Sequence, residues 1–223
     1  MKPFVIASSG TGTGKTLVTS ALCHQLRRAG KKVTALKPII SGFEKGEESD
    51  SAVLLKSCGL AVTEKKIATI SPWRFTAPLS PNMAAEKEGR TINVDEVVAF
   101  CRKHANANQQ LLIETAGGIM SPLTNHHTML DWMTALGWPV ILVSGSYLGA
   151  LSHTLTALNV LQNAPLAVAG LVVSESENSL VSLRDTCDAL ETFVRGGIPV
   201  VALPTLTGKN HWETAPPLNR LWE

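Results

Sequence analysis

The chain has 223 residues, of which 44% are hydrophobic and 17% charged, and its 20 Lys and Arg against 18 Asp and Glu leave a formal net charge of +2. That balance excludes a disordered chain and argues against a protein whose main work is coating nucleic acid or an anionic membrane. The length suits one generous domain, residues 1–223.

Four scattered cysteines, Cys23, Cys58, Cys101 and Cys187, form no CxxC pair. A secreted disulfide framework would be smaller and denser in cysteine, so reduced thiols and a cytoplasmic location are expected. The apolar run at 4–7 is too short for a signal peptide, whose apolar region needs about 7–15 residues. The longest apolar stretch, near 138–143, is far below the ~20 residues of a membrane span.

In chain order, residues 4–7 read as a buried strand. A helix follows at 16–29, with Leu17, Ala21, Leu22 and Leu26 on one face and Gly30 as its stop. Residues 33–36 read as a second strand ended by Lys37-Pro38, and 39–49 as a polar loop. A short helix at 50–58 is closed by Gly59. A proline-rich stretch (Pro72, Pro78, Pro81) precedes a helix near 83–87, and Asn93 caps another at 94–104. The rhythm then repeats. Strands are expected at 111–113, 140–143, 168–173 and 200–203, with helices at 129–136, 152–162 and 180–194. Residues 115–128 read as a Gly/Pro/Asn loop, and the tail from Pro204 as irregular. Apolar strands alternating with helices predict an α/β fold, a mostly parallel sheet flanked by helices in three layers.

The strongest motif follows the first strand: Ser8-Ser9-Gly10-Thr11-Gly12-Thr13-Gly14-Lys15-Thr16. Gly14-Lys15-Thr16 matches the end of the P-loop pattern GxxxxGK[ST], and Ser9 stands at the first Gly. Strand, glycine-rich loop and helix are the context that the motif demands. Backbone N–H groups of such a loop cradle phosphate oxygens at a helix N-terminus. Lys15 would meet β/γ-phosphate charge, and the Thr16 hydroxyl would ligate Mg²⁺.

Ligands of open α/β sheets gather at the carboxyl ends of the strands. Three further strand ends carry polar residues: Lys37-Pro38-Ile39-Ile40-Ser41-Gly42, Glu114-Thr115-Ala116-Gly117-Gly118 and Ser144-Gly145-Ser146. A lysine closing a buried strand either meets a charged partner or simply reaches water. Glu114 stands where P-loop proteins place a Mg²⁺-binding acid; the plainer reading is a loop carboxylate. Asp50 suits Mg²⁺ or the cap of the helix that begins there.

The phosphate loop, the Lys37 to Gly42 segment, Ser49-Asp50-Ser51, Pro78-Leu79-Ser80-Pro81, Glu114-Thr115-Ala116-Gly117-Gly118 and Leu148-Gly149 occur together in order. This set resembles the ATP-dependent dethiobiotin synthetase family over about the first 170 residues. The resemblance implies a P-loop NTPase fold and a ligase. It would join CO₂ to 7,8-diaminopelargonate at the expense of ATP and close the ureido ring of dethiobiotin, an intermediate of biotin synthesis. It makes Lys37 catalytic, with Lys15 and Thr11 at the reacting groups. Gly12, Thr13, Gly14, Lys15, Thr16 and Leu17 would wrap the phosphates, with Glu114, Thr115, Ala116 and Gly117 nearby. Thr16, Asp50 and Glu114 would hold Mg²⁺. Ser41 would touch the diamine, and Ser174, Pro204, Thr205 and Leu206 would border the base. Ser174 stands where the family commonly has Asn, and Gly12 where some members have an acid. The family is dimeric. The resemblance implies a substrate carboxylate held by Gly149, Ala150, Leu151 and Ser152 of a second subunit; an ordinary βα loop is the alternative.

The alternative from a different class is a ParA/MinD-like switch ATPase. Such proteins carry an extra lysine early in the loop, where Gly10 stands, and a basic amphipathic C-terminal helix, where the tail reads Pro216-Pro217-Leu218-Asn219-Arg220-Leu221-Trp222-Glu223. A glutamine-dependent amide synthase would need a glutaminase domain for which this length has no room. His126-His127 reads as a polar loop rather than a metal site, because adjacent histidines point apart. Cys101 and Cys187 read as core thiols. Trp212 and Trp222 are expected to pack the tail onto the body.

Overall fold

Proline after a short strand organises the first half of the chain. The computed structural model describes residues 1–44, 46, 49–194 and 196–222. Its elements are β1 (Phe4–Ser8), α1 (Lys15–Arg28), β2 (Val33–Leu36), β3 (Ile39–Ser41), α2 (Asp50–Ser57), α3 (Glu64–Ile70), β4 (Trp73–Phe75), α4 (Pro81–Lys87), α5 (Val94–His104), β5 (Gln110–Glu114), α6 (Met129–Leu136), β6 (Val140–Gly145), α7 (Ala150–Asn163), β7 (Val168–Ser174), α8 (Leu183–Phe193) and β8 (Val200–Leu203). Pro38 has no N–H to continue the β2 ladder. The chain turns there, and β3 pairs with β4 in a separate two-stranded parallel sheet, Ile39 opposite Trp73. Residues 39–41 are therefore strand, where a loop was expected.

Six strands form the main sheet in the order β2-β5-β1-β6-β7-β8, and every pairing is parallel. All residues of β5 and β6 are buried. That is the pattern of strands covered on both faces, and it explains their unbroken apolar runs. β1 lies at the centre between β5 and β6, so the loop after β1 opens into the crevice at the strands' carboxyl ends.

Helix boundaries follow their caps. Asn93 accepts from the amides of Asp95 and Glu96 and starts α5 as expected. Thr128 and Asp131 form a capping box on α6, which Gly137 ends at φ 69. Ser182 caps α8, so that helix begins at Leu183 rather than at 180. The helix α3 was not expected from the sequence: only Ile67 and Ile70 of its seven residues are buried, too few to set a period.

The tail is more ordered than expected. It makes 3-10 turns at His211–Thr214 and Asn219–Leu221. Gln25 of α1 donates to the carbonyl of Pro216 at 2.8 Å and accepts from the Leu218 amide at 2.8 Å. Trp212 is buried and Trp222 packs against the core, while Cys101 and Cys187 are core thiols. No described helix is long and apolar enough to cross a membrane.

Candidate active site

The loop between β1 and α1 turns twice through left-handed glycines, Gly12 at φ 73 and Gly14 at φ 90. Gly14 also needs to be small: a Cβ there would lie 2.7 Å from Ser174 Oγ at the end of β7. On the other side, a Cβ on Gly118 would lie 3.2 Å from both Gly10 Cα and the Ser9 carbonyl. The Glu114 to Gly118 segment therefore packs its backbone against the phosphate loop.

Beside this loop lies a cavity of about 570 Å³. Thr11, Gly12, Thr13, Gly14, Lys15, Thr16, Leu17, Lys37, Ser41, Asp50, Glu114, Ala116 and Gly117, all expected from the sequence, line it together. Ile40, Ser121 and the turn Pro78-Leu79-Ser80-Pro81 complete the wall.

Its charged floor is one connected cluster. Lys37 Nζ donates to Glu114 Oε1 at 2.7 Å and forms an ion pair with Asp50 Oδ2. Thr16 Oγ1 donates to the same Glu114 oxygen at 2.7 Å. Lys37 is 7% exposed and Glu114 1% exposed, so the solvated-lysine and loop-carboxylate readings do not hold. Burial alone would lower the Lys37 pKa. The charges of Glu114 and Asp50, with their hydrogen bonds, outweigh it, and the pKa is raised. Asp50 moves the other way. Burial disfavours its charge, but the Lys37 ammonium and hydrogen bonds from Lys37 and Thr16 prevail and lower its pKa.

Asp50 is not the cap of α2. Ser49 is, accepting from the Ala52 amide at 3.4 Å. The Asp50 carboxylate is thereby free of capping duty and turned to the cluster. Glu114 Oε2 is buried without a hydrogen-bond partner. Oxygen donors from Thr16, Asp50 and Glu114 suit Mg²⁺, which takes one or two carboxylates and fills its remaining positions with water and phosphate oxygens. Among the described residues no group of three or more His, Cys, Asp or Glu is placed to hold a metal. His127 Nδ1 instead lies 3.1 Å from Thr124 Oγ1.

Lys15 is likewise buried, 8% exposed. Its Nζ donates to Ser8 Oγ at 2.8 Å, to the Gly117 carbonyl at 2.9 Å and to the Gly10 carbonyl at 3.4 Å. Burial brings its pKa down to about 8; Lys37 adds to the lowering, while Glu114 and Asp50 oppose it. Sequence reasoning singled out Lys15 but missed Ser8. The signal was a hydroxyl residue where a wholly apolar strand meets the loop.

Several expected residues lie outside this cavity. Thr115 is fully buried and bonds the Ile6 carbonyl through its amide at 3.0 Å and its hydroxyl at 3.3 Å, so its side chain serves the sheet. Ser174 abuts Gly14. Pro204, Thr205 and Leu206 follow β8, which pairs with β7, and the Thr205 amide donates to Glu175 Oε2 at 2.8 Å. Ser174 is thus at the phosphate loop, and its neighbour across the sheet, Leu203, leads into Pro204, Thr205 and Leu206. Gly149, Ala150, Leu151 and Ser152 start α7, with Gly149 at φ 94. They sit near a second cavity of about 440 Å³, lined by Ser9, Thr11, Met120, His153 and neighbouring residues. Thr11 borders both cavities.

A central parallel sheet, a glycine loop at its middle strand and a lysine with oxygen donors at the neighbouring strand ends define a P-loop nucleotide-binding protein. A family described as an AAA domain matches residues 2–207. An ATP-dependent dethiobiotin synthetase of Phenylobacterium zucineum is 42% identical over 224 residues, covering 96% of this chain and 93% of that protein. Those of Methylobacterium nodulans (45% identical, 85% of this chain, 88% of that protein) and Caulobacter vibrioides (46%, 86% and 88%) are similar. The chain belongs to the ATP-dependent dethiobiotin synthetase family.

Solved structures extend the likeness in fold alone. The septum site-determining protein MinD of Pyrococcus horikoshii, complexed with Mg-ADP, superposes with a TM-score of 0.53 at 17% identity, over 91% of this chain and 81% of that one. A ParA family ATPase of Chlorobium tepidum gives 0.54 at 14% identity, over 95% and 87%.

Proposed function

We propose that the whole chain, residues 1–223, works as one cytoplasmic P-loop unit that carboxylates 7,8-diaminopelargonate with CO₂ and closes its ureido ring, converting ATP to ADP and phosphate. The observation that carries this reading is the joining of Lys37, Glu114, Asp50 and Thr16 into one buried cluster in the cavity that Lys15 and the glycine loop also line. A plain nucleotide switch needs the loop and its acid. The second buried lysine, held by two carboxylates, suits a reaction that gathers negative charge next to the γ-phosphate.

The chemistry follows from that charge. One amine of the diamine adds to CO₂ and becomes a carbamate. A carbamate oxygen attacks the γ-phosphorus, and the bond to ADP breaks. The second amine then attacks the carbamoyl carbon and expels phosphate, which closes the ring. Lys37 and Lys15 offset the charge building between carbamate and γ-phosphate. Thr11 lies on the substrate side of the loop. Mg²⁺, held by Thr16, Asp50 and Glu114, would neutralise the phosphate oxygens. Ser41 Oγ, buried and without a partner, is available to the diamine. Ser174, Pro204, Thr205 and Leu206 border the base.

A homodimer completes the reading. Leu148 and Leu180 are 76% and 86% exposed, and Leu151, close after Leu148 at the start of α7, is 37% exposed. Such apolar side chains favour a covered surface. The start of α7 would present the amides of Leu151 and Ser152 to the substrate carboxylate of a second copy, while the Ala150 amide donates to the Tyr147 carbonyl at 2.9 Å. The reading is tested with ¹³C-bicarbonate, ATP, Mg²⁺ and the diamine. Dethiobiotin carrying the label in its ureido carbon is expected; unlabelled or absent dethiobiotin contradicts it.

A further inference from the structure

We infer that Ser8 is a positioning residue for nucleotide capture, acting through Lys15; this rests on reading Lys15 as the phosphate-binding lysine. Ser8 is the last residue of β1 and is fully buried. Its Oγ lies 2.8 Å from Lys15 Nζ, 2.6 Å from the Gly10 carbonyl and 3.1 Å from the Gly117 carbonyl. An ammonium group only donates, and a hydroxyl has one hydrogen to give. Ser8 therefore accepts from Lys15 and donates to Gly10, the nearer carbonyl.

The two other hydrogens of Lys15 point to Gly117 and Gly10. Three segments thus aim one ammonium: the end of β1, the glycine loop and the loop after β5. Ser8 touches all three, and its carbonyl also accepts from the Ile119 amide at 2.9 Å. The longest of the lysine's contacts, 3.4 Å to Gly10, is the one a phosphate oxygen displaces at least cost.

A free lysine stem carries large rotamer entropy, and ordering it on binding weakens affinity. The Ser8 hydroxyl removes that freedom in advance. Its effect therefore falls on nucleotide binding and on the phosphoryl transfer that Lys15 faces, and diamine binding is left largely alone.

The test is a double-mutant cycle on the full chain, read by calorimetric titration with ATP. Ser8→Ala is expected to weaken ATP binding about tenfold, the scale of a hydrogen bond to a charged group. KM for ATP should rise by about the same factor, kcat should fall because Lys15 also faces the γ-phosphate during transfer, and KM for the diamine should stay within about twofold. In a Lys15→Ala background the same change should cost less than about twofold. Ser8→Cys, nearly isosteric and a weak acceptor, repeats the test without opening a void. An equal loss in both backgrounds, or no loss in either folded Ser8 variant, overturns the inference. Lys15→Ala that binds ATP as tightly as the parent overturns the reading of Lys15 beneath it, a result recorded separately in the same cycle.

Discussion

The Lys37 ammonium lies 2.7 Å from Glu114 Oε1, across 77 positions of sequence. The contact exists because β2 and β5 are parallel neighbours whose carboxyl ends open into the same crevice. Both groups are nearly inaccessible to water, so the pair lies in the buried floor of the cavity. Such a pair is costly to break, because one buried charge is then left alone.

Lys37→Ala is therefore expected to act twice. Loss of a preorganised charge at the reacting groups should lower kcat about 10²–10³-fold. Loss of the ion pair should lower stability by about 3–5 kcal/mol. Steady-state kinetics and thermal melting measure the two separately. A folded variant with normal kcat would mean that the ion pair is only structural.

Ser49 and Asp50 have different duties, and single substitutions separate them. Ser49→Ala should cost roughly 0.5–1 kcal/mol of stability through the lost cap, with an unchanged Mg²⁺ requirement. Asp50→Asn should raise the Mg²⁺ concentration for half-maximal rate about tenfold or more. Mg²⁺ titrations of both variants check this; an unmoved requirement in Asp50→Asn removes it from the metal set.

Glu114→Gln preserves shape and removes charge. With Asp50 still paired to Lys37, the amide variant should lose some stability, retain its fold and lose most Mg²⁺-dependent turnover. Activity with the parental Mg²⁺ dependence would contradict the assignment.

Lys15 gives a pH dependence with a definite sign. Its pKa in the free chain is about 8. Below that value the side chain is charged and attracts phosphate; above it the charge is lost. ATP affinity should fall as pH rises through about 8, and Lys15→Met should flatten the decline. Titrations across that range decide it, and a flat parental profile would contradict it.

How much of this was legible in sequence depends on the range of the interaction. The parallel sheet was, because strands buried on both faces read as unbroken apolar runs, and Gly14-Lys15-Thr16 is local. The small sheet was not. Ile39 meets Trp73 only after a long excursion of chain, and nothing near 39–41 records that pairing. Asp50 remained ambiguous because cap and metal ligand use the same chemistry; the neighbouring Ser49 hydroxyl resolves it. Ser8 was missed because its role depends on Gly10, Lys15 and Gly117 meeting in space. The Thr115 side chain bonds the sheet because adjacent strand-end residues point to opposite faces, which no local motif records.

The central claim is that ATP turnover is coupled to diamine carboxylation. The most direct measurement is phosphate release with ATP, Mg²⁺ and bicarbonate, with and without 7,8-diaminopelargonate. Phosphate should appear only with the diamine and match dethiobiotin mole for mole. Steady ATP hydrolysis that ignores the diamine would contradict the account and favour a nucleotide switch.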